Sequence, residues 1–176
     1  MINAFYQKVL SFNEVGRLQE YATKARYNPI TQDYGGLTYQ SVEAHRLPHG
    51  HPMEKPIVHS IMRMNDEFYN YDLFGTFEIQ FLKYTEGGKY DWHSDYGVSE
   101  HPGGPRKLSL SLQLSNCWDY NGGDVIIRDW YNRENNMDRE LGTVMVFDSR
   151  VPHKVTPITD GERYSVVAWA HGPQLR

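Results

Sequence analysis

The chain has 176 residues, of which 39% are hydrophobic and 23% are charged, and its net charge at pH 7 is −4. This size and composition predict a single domain over residues 1–176, and no apolar run reaches the roughly 18 residues that a membrane span needs. The weak negative charge gives no bulk attraction to nucleic acid, so a nucleic-acid partner is not expected.

The N-terminal segment MINAFYQKVLSF has none of the regions of a signal peptide: no charged start, no long apolar stretch and no small-residue cleavage site. We therefore expect a cytoplasmic protein without a membrane segment. Nothing in the composition indicates the oligomeric state.

Two helices are predicted in the first part of the chain. Ser11 to Glu14 form a capping-box pattern, and apolar residues follow at helical spacing until Asn28-Pro29 ends the pattern. A second apolar stripe follows Pro56 and extends to Phe68. These stripes predict a helical support at about residues 11–70 that packs against the rest of the domain.

From about residue 74 the apolar period changes to two, as in Phe77, Ile79 and Phe81, which is typical of a half-buried strand. Turn-rich segments separate the further predicted strands Leu108–Leu114, Asp124–Arg128, Thr143–Phe147, His153–Ile158 and Arg163–Ala170. The pattern predicts a mainly β sandwich or barrel over about residues 74–171, with flanking α-helices outside it. The polar segments 96–107 and 129–140 are long enough to be mobile lids.

His93-Ser94-Asp95 is a candidate metal-binding triplet, because residues two apart in an extended chain point to the same side. His153 on a later strand supplies a third ligand. A single cysteine, Cys117, excludes an internal disulfide and any multi-cysteine metal site. Two histidines and one carboxylate suit both oxygen-activating iron and hydrolytic zinc, so the triad by itself does not identify the metal.

Arg163 and Ser165 are predicted to share one face of a strand. A guanidinium can donate two parallel bonds to a carboxylate, and the hydroxyl can donate a third. A dicarboxylic 2-oxo acid could therefore chelate a metal at one end and be held by Arg163 at the other. Zinc hydrolysis needs no such anchor, so this pair favours iron.

A wider set of motifs surrounds these residues. It comprises Tyr84-x-x-Gly87-x-x-Tyr90-x-x-His93-x-Asp95, the segments RKLSLSLQLS and NGGDV, and His153 followed by Arg163-x-Ser165. In this order and spacing the set resembles the prolyl 4-hydroxylase-like branch of the Fe(II)/2-oxoglutarate-dependent dioxygenases. The resemblance runs from about Phe77 to Trp169.

The resemblance implies a double-stranded β-helix, that is, a cupin-like jelly roll, with the site at its open mouth. It implies Fe(II) as the metal, 2-oxoglutarate as cosubstrate, O2, and ascorbate as an optional reductant. The implied reaction converts 2-oxoglutarate to succinate and CO2 while a prolyl residue of a peptide or protein is hydroxylated.

The resemblance also implies individual roles for residues of this chain. His93, Asp95 and His153 would be the metal ligands and the catalytic centre. The cosubstrate would be bound by Arg163, Ser165, Tyr84 and Gln113, and the substrate by Tyr90, Arg106 and Trp169. Gln113 stands where the family usually has tyrosine, and Arg163 stands where many collagen-type relatives have lysine.

Two other functions stay open from the sequence. One is hydroxylation of a free amino acid, a small metabolite or a nucleobase, although Trp169 occupies the place where nucleic-acid-repair dioxygenases have a second arginine. The other is a non-catalytic jelly-roll module that binds metal and 2-oxoglutarate.

Two groups of side chains have an open role. His45, His49 and His51 lie near Glu54 and could bind a metal, but their Pro- and Gly-rich segment favours an exposed loop. Six aromatic residues could line a substrate wall or only pack the rim of the barrel. They are Trp92, Tyr96, Trp118, Tyr120, Trp130 and Tyr131.

Overall fold

A computed structural model describes residues 4–97 and 104–174. Its helices are α1 (Phe12–Lys24) and α2 (Glu54–Met64), and a π-helical turn (Asn65–Tyr69) follows α2. Its strands are β1 (Ala4–Gln7), β2 (Asn28–Tyr34), β3 (Leu37–Arg46), β4 (Phe77–Tyr84), β5 (Lys89–His93), β6 (Arg106–Gln113), β7 (Tyr120–Gly122), β8 (Val125–Arg128), β9 (Glu134–Asn136), β10 (Val144–Asp148), β11 (His153–Val155), β12 (Ile158–Gly161) and β13 (Arg163–His171).

The strands form one large antiparallel sheet and a small second one. The order of the large sheet is β1-β10-β6-β13-β4-β3-β5-β11-β8-β9, and β2 joins it by pairing with β3. The small sheet consists of β12 and β7. Met145 of β10 and Ile127 of β8 are distant in this order but belong to one buried apolar cluster. The large sheet therefore curls on itself, as in the jelly roll that the sequence predicts.

Both predicted helices are confirmed and cover the outer face of the sheet. In α1, Ser11 and Glu14 form the expected capping box. Leu18 of α1 and Ile61 of α2 are fully buried against Phe81 and Leu110, which alternate outward along β4 and β6. This apolar layer fixes the sheet in place and leaves its inner face free for a site. In the described residues no helix is long and apolar enough to cross a membrane.

The region between the helices differs from the prediction. Residues 28–46 form the β2–β3 hairpin, whose strand β3 joins the large sheet through β4 and β5. The helical support at 11–70 thus contains two strands that the sequence analysis missed. The strands Ala4–Gln7, Lys89–His93, Tyr120–Gly122 and Glu134–Asn136 were also not predicted.

Several other sequence expectations change. The single strand predicted at His153–Ile158 is two strands, β11 and β12, in different sheets. Segment 129–140 is a hairpin turn followed by β9, because the Asp129 carboxylate accepts backbone bonds from Tyr131 and Arg133 and closes the turn. Residues 98–103 of the other predicted lid lie outside the described residues.

Candidate active site

The inner face of the curled sheet encloses a cavity of about 280 Å³. Nine of the ten predicted site residues line it: Tyr84, Tyr90, His93, Asp95, Arg106, His153, Arg163, Ser165 and Trp169. Gln113 lies behind this lining. Among the described residues, none of the six aromatics with an open role lines the cavity. Trp118, Trp130 and Tyr131 are exposed on the surface instead.

The predicted metal ligands meet at one wall of this cavity. His93 ends β5 and His153 begins β11, and the two residues are direct partners in the sheet. Asp95 follows β5, with its two carboxylate oxygens 3.6 Å from His93 Nε2 and 3.5 Å from His153 Nε2. The candidate ligand atoms of the three residues lie within 4.8 Å of one another. They could therefore all reach one metal ion.

Backbone hydrogen bonds orient both imidazole rings. His93 Nδ1 lies 2.7 Å from the carbonyl oxygen of Asp91, and His153 Nδ1 lies 3.0 Å from that of Val151. A carbonyl can only accept, so each Nδ1 carries the proton and each Nε2 offers a lone pair. Such outer partners are typical of metal-binding histidines.

The electrostatics of the triad also suit a cation. Burial, with His153 beside it, lowers the pKa of His93 to about 4, so this ring is neutral at physiological pH. Burial by itself would raise the pKa of Asp95, but His153, His93 and hydrogen bonds from Trp169 and Ser109 bring it below its ordinary value. A neutral imidazole and an ionised carboxylate are the forms in which these groups bind metals.

Arg163 is a buried cation that lines the same cavity as the triad. Its side chain is only 2% exposed, and its guanidinium donates to Gln113 Oε1 at 3.2 Å and to Ser165 Oγ at 3.4 Å. Both partners are neutral, and nowhere in the described chain does a carboxylate pair with it. A buried charge without a counter-charge is costly, so this guanidinium suits an anionic ligand in the cavity.

Tyr84 and Gln113 flank Arg163 in different ways. Burial raises the pKa of Tyr84 to about 12, against the opposing effect of Arg163, so its hydroxyl keeps its proton and can donate into the cavity. Gln113 uses both ends of its amide, accepting from Arg163 and donating to the Tyr120 hydroxyl. The geometry thus gives Gln113 an indirect role in orienting Arg163, and direct contact with a cosubstrate stays a prediction.

The predicted substrate residues Arg106, Trp169 and Tyr90 also line the cavity. The Arg106 guanidinium stacks 3.9 Å from the Trp169 ring and makes two hydrogen bonds to Glu78. His171 contacts the same carboxylate at 2.9 Å. Hydrogen bonds from His171 and Arg106 lower the pKa of Glu78 to about 2 despite partial burial. Arg106 is therefore held over the Trp169 ring by an ionised partner.

Tyr90, a predicted substrate residue, packs directly against the triad. Its ring stacks on His93 with 3.5 Å between ring centroids and 14° between ring planes. Tyr39 from the β2–β3 hairpin packs edge-on against Tyr90 and donates to the carbonyl of Trp92. The hairpin therefore supports the wall that contains His93.

Three residues of the site escaped sequence reasoning. Glu78 pairs directly with Trp169 in the sheet, and Ser109 and Ser149 hydrogen-bond towards Asp95. Strand alternation could have placed Ser109 on the same face as Gln113. Its hydrogen bond with Ser149 could not have been found in this way, because Ser149 lies in a loop that is distant in the sequence.

Among the described residues, the histidine-rich segment does not gather three ligand side chains at one point as the triad does. His45 lies in β3 and its ring bonds to Tyr21 and to the carbonyl of Arg26, whereas His49 pairs with Glu54. The expected loop is correct for His49 and His51 but wrong for His45, because β3 extends to Arg46.

Comparisons with known proteins agree with this geometry. The family model of the 2OG-Fe(II) oxygenase superfamily matches residues 79–171. A PKHD-type hydroxylase of Pseudomonas fluorescens is 30% identical to the chain, over 92% of this chain and 74% of the relative.

Solved structures show the same fold. A Pseudomonas putida prolyl-4-hydroxylase has a TM-score of 0.79 at 21% identity, covering 97% of this chain and 93% of that one. A Trichoplax adhaerens prolyl hydroxylase, solved with a peptide fragment of the hypoxia inducible factor oxygen degradation domain, has a TM-score of 0.70 at 18% identity, covering 96% and 83%. At these identities the likeness concerns the fold alone.

Proposed function

Because the chain belongs to the 2OG-Fe(II) oxygenase superfamily, we propose that it hydroxylates a prolyl residue within a peptide or protein. In this proposal His93, Asp95 and His153 hold Fe(II), and Arg163 with Ser165 and Tyr84 holds 2-oxoglutarate. The observation that carries the proposal is that one cavity contains both a two-histidine, one-carboxylate cluster and a buried guanidinium without an acidic partner.

The residues present fit both groups. The Nε2 lone pairs of His93 and His153 and the Asp95 carboxylate are ligands that iron accepts on one face, which leaves positions open for other ligands. The Arg163 guanidinium can form a charge-assisted pair with the distal carboxylate of 2-oxoglutarate. Protonated Tyr84 would donate a further bond to the same ligand.

The chemistry supplied when Fe(II), 2-oxoglutarate and O2 are bound is oxidative decarboxylation to succinate and CO2, coupled to hydroxylation of the substrate. The chain's own contribution is binding, orientation and exclusion of water. Leu82, Val125, Phe147 and Val155 give the cavity an apolar lining beside the triad. Arg106 on Trp169 would orient the substrate at the mouth.

The charges of the cavity favour a residue inside a peptide over a free amino acid. After the triad and Arg163 are assigned, Arg106 is the remaining charged side chain in the described lining, and Glu78 neutralises it. A free amino acid would bring an ammonium and a carboxylate that find no unpaired opposite charge here. Four further polar side chains that line the cavity are neutral: Gln32, Gln40, Gln80 and Ser111. They suit the N–H and C=O groups of a peptide.

Names of related proteins support the same substrate class. The P. fluorescens relative is a PKHD-type hydroxylase, and the Trichoplax enzyme of the same fold was solved with a peptide. Direct use of O2, stimulation by ascorbate and a cytoplasmic location stay predictions.

The substrate proposal is tested by a peptide screen. Purified protein with Fe(II), 2-oxoglutarate, ascorbate and air is incubated with a library of proline-containing peptides and, separately, with free proline. We expect peptides to gain the mass of one oxygen on proline, and no gain with free proline or with the Asp95→Ala variant. Hydroxylation of free proline but of no peptide would contradict the proposed substrate class.

A further inference from the structure

A short chain of buried hydroxyl groups ends on the Asp95 carboxylate. Ser109 Oγ lies 2.7 Å from Asp95 Oδ2, and Ser149 Oγ lies 2.9 Å from Ser109 Oγ. The two serines are 1% and 0% exposed. They come from different parts of the chain, since Ser109 is in β6 and Ser149 directly follows the end of β10.

The directions of these two hydrogen bonds follow from the chemistry of the groups. An ionised carboxylate can only accept, so the Ser109 hydroxyl must donate to Asp95. The oxygen of Ser109 is then left to accept from Ser149, whose hydroxyl must donate to it. The chain therefore has one polarity, from Ser149 through Ser109 to Asp95, and each member depends on the one before it.

Ser149 also holds the backbone of Asp95. Its carbonyl oxygen accepts the backbone N–H groups of Asp95 at 2.9 Å and of Tyr96 at 2.8 Å. Asp95 follows the end of β5 and is not paired in a strand, so these contacts replace the sheet in fixing its position.

We propose that Ser109 and Ser149 are positioning residues that hold the Asp95 carboxylate in the orientation that completes the metal site. The proposal rests on the function proposed above, because it assumes that Asp95 is a metal ligand. Without Ser109 the carboxylate could rotate about its Cβ–Cγ bond, and the freedom would have to be lost when metal binds. Partners of metal ligands commonly change metal affinity by about 10–100-fold when removed.

The test is an anaerobic titration of the full chain with Fe(II) in the presence of 2-oxoglutarate, followed through the charge-transfer absorption of the complex. We expect Ser109→Ala to raise the dissociation constant for Fe(II) by about 10–100-fold and to broaden or shift the band. Ser149→Ala should raise it severalfold, since its carbonyl contacts to Asp95 are unchanged. The double variant should bind no more weakly than Ser109→Ala, because Ser149 acts through Ser109.

Ser115→Ala is the matched control. Ser115 is also buried, and its hydroxyl oxygen accepts the backbone N–H of Tyr164 at 2.7 Å, away from the triad. This variant should lower the melting temperature of the metal-free protein and leave Fe(II) affinity unchanged.

The outcomes distinguish failure of the positioning role of Ser109 and Ser149 from failure of the proposed function. If Ser109→Ala lowers the melting temperature but binds Fe(II) as tightly as wild type with the same absorption band, the serines are only structural and the inference is overturned. If wild type itself binds no Fe(II), the proposed function fails, and the inference fails with it.

Discussion

The two faces of β6 and β13 carry opposite kinds of residues. On the outer face, Leu110 and Ala168 are partners across the two strands and pack beneath the helices. On the inner face, Val167 faces Ser111 and Ser165 faces Gln113, and the same face carries Arg163. Both faces are buried, yet one is apolar and the other carries hydrogen-bonding and charged groups.

This difference assigns separate tasks to the two faces. Burial of the outer leucines and valines stabilises the fold through the hydrophobic effect. The inner polar groups gain little from burial alone and are stable only when paired, as in the Arg163–Gln113 contact. The outer face therefore controls stability, and the inner face controls what the cavity binds.

The largest expected effect is the loss of the metal from the inner face. Asp95→Ala and His153→Ala should each weaken Fe(II) binding by more than the 10–100-fold typical of an outer partner and abolish turnover, because a direct ligand is removed. Isothermal titration with Fe(II) under anaerobic conditions measures this. Asp148→Asn is the control, since that buried carboxylate pairs with Tyr71 and Arg150 rather than with the histidines.

The outer face should show the reverse behaviour. Phe81 is fully buried and its ring lies 4.9 Å from that of Tyr21 of α1. Phe81→Ala should lower the free energy of unfolding by about 3–5 kcal/mol, because it leaves a cavity in the core. Urea denaturation measures this change. The affinity for Fe(II), measured at a temperature where the variant is folded, should be unchanged. A large loss of Fe(II) affinity would contradict the separate roles of the two faces.

Arg163 tests the anion-binding part of the inner face. Arg163→Ala should raise the 2-oxoglutarate concentration needed for half-maximal succinate release by roughly 10–100-fold, since a charge-assisted interaction of about 1.5–3 kcal/mol is lost. Arg106→Ala is the matched control and should leave this concentration unchanged. If Arg163→Ala behaved like wild type, the cosubstrate anchor would have to lie elsewhere.

The smallest effect concerns Glu78 at the mouth. Its folded-state pKa of about 2 is below the ordinary value of 4.5, so its contribution to stability is full above pH 4.5 and is lost as the pH falls towards 2. Glu78→Gln should remove this part of the pH dependence, on the order of 2 kcal/mol. Urea denaturation between pH 5 and pH 2 should give wild-type and variant curves that converge at low pH. Curves that stay parallel would mean that Glu78 has no such shift.

Much of the large sheet was predictable because alternation is a local property. Phe77, Ile79 and Phe81 already marked the outer face of β4, and the capping box marked the start of α1. The motif spacing around His93 and Arg163 likewise pointed to one cavity. Wherever apolar and polar residues alternate regularly along a strand, the sequence predicts which residues lie on each face.

The parts that escaped prediction depend on contacts between distant segments. The β2–β3 hairpin has a weak apolar pattern, so β3 is fixed by pairing with β4 and β5, and β2 by pairing with β3. The bond from Ser149 to Ser109 needs a loop after β10 to approach β6. No local pattern encodes such an approach, nor does one encode the contact of Gln113 with Arg163.

Succinate release by the purified chain with Fe(II), 2-oxoglutarate and O2 shows directly whether the cavity is catalytic. We predict that succinate forms only when all three are present, that it increases with a substrate peptide, and that Asp95→Ala forms none. A protein that binds Fe(II) and 2-oxoglutarate but releases no succinate, with or without peptides, would contradict the account and identify a non-catalytic binding module.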